Sequence, residues 1–385
     1  MNPFQGNIIS KLPQTSTSIF AVMSQLAAEH NAVNLSQGFP DFPISAELID
    51  LVNHYMKDGY NQYAPMPGIA PLRNALSNMF KLNHGAVYNA DTEITITAGA
   101  TQAIYAAISA FISKDDEVII FEPAYDCYAP SIIVNGGTVK YSQLQYPDYS
   151  INWDELPRMI SSNTKMIIIN SPHNPTGSII SKEDMQRLET LIKGRDIIVL
   201  SDEVYEHIIF DGIKHQSAAR FPDLASKSII VGSFGKTFHA TGWKTGFVLA
   251  PENIMAEFRK VHQFVVFAVN TPIQYAIAKF LENPNNYNSL GRFYQEKRDY
   301  FLSAISSSKF KPLTCNGTYF QLLDYSNISD EPEMDMAVKL VKDHGIATVP
   351  VSSFYRTKEN NRTLRFCFAK QESTINKAAE ILCKI

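Results

Sequence analysis

The sequence predicts an α/β protein built on a mainly parallel sheet, joined to a second, smaller α+β domain. Short β-branched apolar runs recur through roughly the first two thirds of the chain. Helix-length stretches separate them, which is how strands buried on both faces alternate with crossover helices. Beyond about residue 285 charged helical segments take over and strand candidates become fewer.

The apolar runs occupy residues 117–121, 166–170, 196–200, 228–231 and 246–250. None alternates polar with apolar residues, and each is bounded by Gly, Pro or Asp. An earlier strand candidate, 93–97, leads through Gly99-Ala100-Thr101 into a helical run at 102–111. The stretch 181–193 opens on Ser181 with Asp184 three residues later, the pattern of an N-terminal capping box. Such alternation places ligands at the carboxyl ends of the strands. Further on, helices are expected at 292–303 and 334–344, and strands at 318–323 and 364–369. With 385 residues the chain exceeds what one core usually supports. The expected division is an arm at 1–42 that joins the small domain, a large domain at 43–285, and a small domain at 286–385.

Composition narrows the function classes. An apolar content of 45% and a charged content of 19% describe a globular protein in water. A net charge of −4 provides no basic field, so neither nucleic acid nor an anionic membrane is expected as a partner. Cys127, Cys315, Cys367 and Cys383 are scattered, without a CxxC pair or a histidine at ligand spacing. No metal site is expected, and the thiols suit a reducing compartment. Neither a signal peptide nor an apolar run of roughly 20 residues is visible. A cytoplasmic location follows as the expectation.

Three fragments fall at strand ends: Asn174-Pro-Thr-Gly, Asp202-Glu-Val-Tyr205, and Ser233-Phe-Gly-Lys236 followed by Lys244. Lys236 lies among small and hydroxyl-bearing neighbours, with a second cation eight positions on. That is the setting a lysine needs to form an imine with an aldehyde cofactor whose phosphate nearby donors hold. Asp202 could keep a pyridine nitrogen protonated, or simply cap a turn. The phenol of Tyr205 and the amide of Asn174 could reach the cofactor's ring oxygen, while Asn174-Pro-Thr-Gly also reads as a plain turn. Gly99, Ala100 and Thr101 would let helix-start amides approach a phosphate. Tyr125 could stack on the ring. Arg365, in an apolar strand candidate, needs an anion: a substrate carboxylate or an internal carboxylate would serve. Together these fragments point to pyridoxal phosphate.

The chain resembles the class I and II aminotransferases of fold type I along its whole length. It is most similar to their methionine, kynurenine and glutamine branch. Residues 34–42 (Asn-Leu-Ser-Gln-Gly-Phe-Pro-Asp-Phe), Asn61-Gln-Tyr-Ala-Pro, Glu122-Pro-Ala-Tyr-Asp-Cys-Tyr128, Gly235-Lys-Thr-Phe and Leu364-Arg-Phe-Cys-Phe carry the closer match. The resemblance implies a seven-stranded large-domain sheet and the following roles. Lys236 holds the cofactor and moves the Cα proton. Asp202 pairs with the pyridine nitrogen, and Asn174 and Tyr205 with the ring hydroxyl. Ala100, Thr101, Ser233 and Lys244 surround the phosphate, and Tyr125 stacks on the ring. Tyr63 reaches the neighbouring subunit's cofactor, making the active unit a homodimer. Gly38, Arg365 and Asn174 bind the substrate. Lys244 stands where many members carry arginine, and His239 occupies a usually small position, which could crowd the pocket.

For the substrate, dicarboxylate-specific relatives place a second arginine in the segment corresponding to 261–270. Here it holds none, and Phe264 and Phe267 dominate. Phe20 could add an aromatic wall, although each phenylalanine could equally be core. The expected reaction is transfer of the amino group of a neutral L-amino acid (methionine, aromatic, kynurenine or glutamine) to a 2-oxo acid by a ping-pong cycle. The alternative is β-elimination at the same site, on cysteine conjugates or cystathionine. A cofactor-binding regulator is disfavoured by the absence of a basic DNA-binding extension.

Overall fold

Seven strands form the large sheet in the computed structural model, which describes residue 1 and residues 3–385. They are β1 (Ile94–Thr97), β2 (Glu117–Glu122), β3 (Thr138–Gln143), β4 (Thr164–Asn170), β5 (Ile198–Asp202), β6 (Ser228–Ser233) and β7 (Gly246–Leu249). Their spatial order is β1-β7-β6-β5-β4-β2-β3. Strands β2 to β6 run parallel, whereas β7 is antiparallel to both β1 and β6. A continuous apolar run records burial on two faces but not direction, so the reversal of β7 left no trace in its composition.

Alternate residues of the same strands serve two different cores. Val118, Ile120, Met166 and Ile168 face one cluster, while Ile119, Ile167, Val199 and Ile230 face the other. Among the covering helices are α1 (Ala70–His84), α2 (Ala100–Phe111), α3 (Lys182–Ile192) and α4 (Glu252–Val265). Ala103 and Ile108 of α2 and Met255 and Phe258 of α4 pack on the first side. Leu76 of α1 and Leu188 of α3 pack on the second. Helix α3 starts where the capping box places it. Ser181 Oγ accepts the Asp184 N–H at 3.0 Å, and Asp184 accepts the Ser181 N–H at 3.2 Å. Strand β3 was absent from the sequence reading. It lies at the sheet edge, half-exposed, and its Thr-Val-Lys-Tyr-Ser-Gln alternates like a one-sided strand.

The C-terminal part adds a four-stranded antiparallel sheet whose longer members are β8 (Phe320–Asp324) and β9 (Thr363–Cys367). Short pairs at Lys311–Pro312 and Val349–Pro350 extend it. Val33–Asn34 pairs in parallel with Ile346–Ala347, which fastens the N-terminal arm to this part. None of the described helices is long and apolar enough to cross a membrane.

Candidate active site

The chain switches direction across the sheet between β2 and β4, which are neighbours although β3 lies between them in sequence. A cavity opens at the carboxyl ends of the parallel strands, lined from the segments that follow β1, β2, β4, β5 and β6. Ala100, Thr101, Tyr125, Asn174, Asp202, Tyr205, Ser233, Lys236 and Lys244 all line it. Asp202 and Ser233 end their strands rather than follow them, each strand running two residues further than expected. Asn170, the last residue of β4, braces the turn: its amide donates to Asp202 O and accepts from the Asn174 N–H, both at 2.9 Å. The turn reading of Asn174 and its place in the cavity are therefore compatible.

At one end of the cavity lies an anion cradle. Helix α2 begins at Gly99 without a side-chain cap, and its first intrahelical bond comes only at Ala103. The earlier N–H groups are left for a ligand, on the positive end of the helix dipole. Gly99 has φ +84°, and a Cβ there would sit 3.4 Å from Lys244 Cε. At Gly246 a Cβ would lie 2.7 Å from Gly232 O and 3.1 Å from Ala100 N, so two backbones close around the helix start. Lys244 is exposed and takes a left-handed turn that brings its ammonium beside Gly99.

At the other end sit opposed charges. Burial pushes the Asp202 carboxyl up to about 6. Its Oδ2 accepts the Tyr128 hydroxyl at 2.5 Å, and Oδ1 accepts the Val204 N–H at 3.3 Å. Lys236 is brought down to about 8 by burial first and by the Arg365 guanidinium second. Its amine donates to Tyr319 Oη at 3.1 Å and to Gly38 O at 3.3 Å. Burial also holds the Tyr205 and Tyr125 phenols above their ordinary range.

Arg365 is 1% exposed and has no carboxylate within ion-pair distance among the described residues. It donates to Asn174 Oδ1 at 2.7 Å and to Ser36 O at 2.9 Å, while its Nε has no partner. The guanidinium rests on Phe320 at 3.9 Å, with Phe20 at 5.1 Å and Phe354 at 5.5 Å. Phe20 and Gly38 thus reach the site through Arg365 and Lys236 rather than by lining the cavity. Tyr63 is not brought there; it is 82% exposed and meets Phe267 edge-on. Phe264 and Phe267 are likewise exposed and do not border this chain's cavity. His239 does not crowd the pocket as expected. Its ring turns towards Phe42 and Phe293, and Nδ1 meets the Tyr294 hydroxyl at 2.8 Å. Sequence reasoning passed over Tyr128, Asn170 and Tyr319. Only Tyr128 left a signal, as the last residue of a motif that was quoted but given no role.

A phosphorylated pyridine aldehyde suits these residues. The uncapped helix start and Lys244 would suit a phosphate, the buried Asp202 a protonated ring nitrogen, and the lowered Lys236 amine an aldehyde. Fold and site together define a pyridoxal-phosphate-dependent aminotransferase. The chain belongs to the class I and II aminotransferase family, whose pattern matches residues 30–382. It is 46% identical to the Escherichia coli methionine aminotransferase over 97% of both chains. The human kynurenine–oxoglutarate transaminase 1 is 34% identical over 94% of both. A solved Escherichia coli methionine aminotransferase superposes with a TM-score of 0.97 at 45% identity, covering all of both chains. The N-succinyldiaminopimelate aminotransferase of Mycobacterium tuberculosis superposes with 0.94 at 32% identity, over 98% of this chain and 100% of that one.

Proposed function

We propose that this aminotransferase takes its amino group from a neutral L-amino acid, such as methionine or an aromatic, kynurenine or glutamine side chain, and passes it to a 2-oxo acid. The observation that carries the reading is Arg365: a buried guanidinium bonded to the cavity-lining Asn174, with Nε unpartnered and, among the described residues, no carboxylate within ion-pair distance, Asp126 acting on it only from further away. Such a group is costly unless an anion completes it, and an α-carboxylate takes a bidentate grip. Arg365 itself reaches the cavity only through Asn174, and among the described residues no arginine lines the cavity to take a second carboxylate. Phe20 and Phe354 beside Arg365 favour an apolar side chain.

When bound, pyridoxal phosphate supplies the electron sink that makes the substrate Cα acidic. The α2 start, Ser233 and Lys244 hold its phosphate. Asp202, fixed by Tyr128, holds a proton at the pyridine nitrogen, and Asn174 and Tyr205 donate to the ring oxygen. Tyr125 covers a ring face. Lys236 Nζ would take the proton from the substrate Cα and deliver it to the cofactor's aldehyde carbon, C4′. Arg365, Asn174 and the Gly38 backbone hold the amino acid in place. The active unit is a homodimer in which Tyr63 serves the partner's cavity; its exposure beside Phe267 supports this. The division at 1–42, 43–285 and 286–385 is supported by the large sheet lying wholly within the middle segment.

An absorbance titration of the holoenzyme with single L-amino acids, without an oxo acid, tests the substrate class. Methionine and aromatic donors should convert the cofactor to its amine form, and aspartate should not. Conversion by aspartate alone would overturn the neutral-substrate reading. Ammonia released with the starting spectrum restored would make the enzyme a β-lyase.

A further inference from the structure

We propose that Tyr319 is a positioning residue, whose hydroxyl works with the Gly38 carbonyl to aim the Lys236 amine at the substrate. The inference rests on the reading that Lys236 carries the Cα proton. The three groups form a closed triangle: Lys236 Nζ lies 3.1 Å from Tyr319 Oη and 3.3 Å from Gly38 O, and Tyr319 Oη donates to Gly38 O at 2.6 Å. Tyr319 is fully buried, and burial together with the neighbouring Tyr205 keeps its phenol protonated. Its one hydrogen is committed to Gly38 O, so it offers Lys236 only a lone pair.

Tyr319 Oη and Gly38 O are only 2.6 Å apart, so both acceptors lie on one side of the nitrogen and draw its hydrogens there. Lys236 lines the cavity whereas Tyr319 and Gly38 do not, so the lone pair of the amine is left towards the cavity. A proton leaving Cα is taken up there, turning amine into ammonium, and is then passed on. Nothing is oxidised, and the Tyr319 hydrogen stays where it was. A lysine without these acceptors would rotate freely and present hydrogens and lone pair indiscriminately.

The position of the hydroxyl is fixed by the fold. Thr318 turns at φ +67°, and Tyr319 O then accepts the Phe368 N–H at 3.0 Å, anchoring the residue beside β9. Rings of Tyr205, Tyr294 and Phe320 surround it, with centroids 5.2, 5.6 and 4.9 Å away. Packing alone would be served by phenylalanine, yet both hydrogen bonds of this hydroxyl go to the site.

The test is the Tyr319→Phe holoenzyme, compared with wild type and Lys236→Ala. In a single turnover with L-methionine, Tyr319→Phe should slow Cα proton transfer by roughly tenfold or more. The isotope effect from deuterium at Cα should grow, with little change in KM. In the amine form of the holoenzyme, where Lys236 is free, ¹⁵N NMR should show its titration moving to lower pH, because an acceptor for the ammonium is gone. Replacing Tyr319 with 3-fluorotyrosine keeps ring and hydroxyl while weakening the acceptor, and should move rate and titration the same way by less. Wild-type proton transfer, isotope effect and titration in either variant would overturn the proposal. Should Tyr319→Phe not fold, the fluorinated protein decides alone. Undiminished turnover in Lys236→Ala would instead overturn the assignment of the lysine itself.

Discussion

Asp202 and Lys236 are driven by the same burial in opposite directions, each towards its neutral form. The consequence for the cofactor-free chain is a stability that depends on pH in two windows. Between about 8 and the ordinary lysine value of 10.5, the unfolded chain keeps a proton that folded Lys236 has lost, so stability rises with pH there. Between the ordinary 3.8 and about 6, folded Asp202 keeps a proton that the unfolded chain has released, so stability falls as pH rises. Thermal unfolding of wild type against Lys236→Met should therefore show a difference that narrows from pH 8 to 10.5. A constant difference would mean that the lysine is not held away from water. In the holoenzyme, Asp202→Asn keeps the shape but loses the charge that holds the pyridinium proton. We expect kcat to fall about 100-fold or more, and Tyr128→Phe to cost about tenfold through the single lost hydrogen bond. Lys236, Asp202 and Asn174 were legible because they stand at strand ends inside compact motifs. Tyr128 and Tyr319 were not, because their partners lie 74 and 83 residues away. No local pattern records a contact of that separation.

At the scale of elements, the start of α2 does the most for the site. Gly99 holds a backbone conformation, φ +84°, that an L side chain adopts only under strain, although a Cβ there would meet Lys244 only in ordinary contact. Gly99→Ala should weaken pyridoxal phosphate binding by roughly tenfold or more, from backbone strain of about 1–3 kcal/mol at the helix start. Equilibrium fluorescence titration of the cofactor-free protein would measure this, and unchanged affinity would remove the helix start from the phosphate site. The loop between Val349–Pro350 and β9 depends on two buried carboxylates. Glu333 accepts the N–H groups of Ser352, Asn361 and Thr363, the last at 2.9 Å. From the large sheet, Glu122 accepts the N–H of Arg356. That loop carries Phe354, which packs beside Arg365. Glu333→Ala leaves three donors without a partner and should destabilise the fold by about 3 kcal/mol, read as a lowered urea midpoint. An unshifted midpoint would show that water replaces the carboxylate. The capping box of α3 was readable because its signal is local. The reversal of β7 and the two-residue strands of the small sheet were not, since pairing direction and short pairings are decided by distant partners.

For the whole molecule, the decisive question is why Tyr63, Phe264 and Phe267 stand in water at 82%, 86% and 61% exposure. Large aromatics clustered on a surface usually await a partner. If two copies meet here, each Tyr63 can lie at the other copy's cavity, which it does not reach within its own chain. Mixing two damaged proteins tests this directly. One carries Lys236→Ala and keeps Tyr63; the other carries Tyr63→Ala and keeps Lys236. In a hybrid dimer, the cavity that retains its lysine receives the intact tyrosine from its partner, while the other cavity lacks both. Random exchange of equal amounts makes half of the dimers hybrids with one sound site each, so activity should recover to about a quarter of wild type. A tyrosine that served its own chain would leave every hybrid cavity short of one residue, and mixing would restore nothing. Phe264→Glu with Phe267→Glu should abolish both the recovery and the dimer seen by sedimentation, because two buried carboxylates without partners outweigh the contact. Recovery that survives this double change would place the shared surface elsewhere on the molecule.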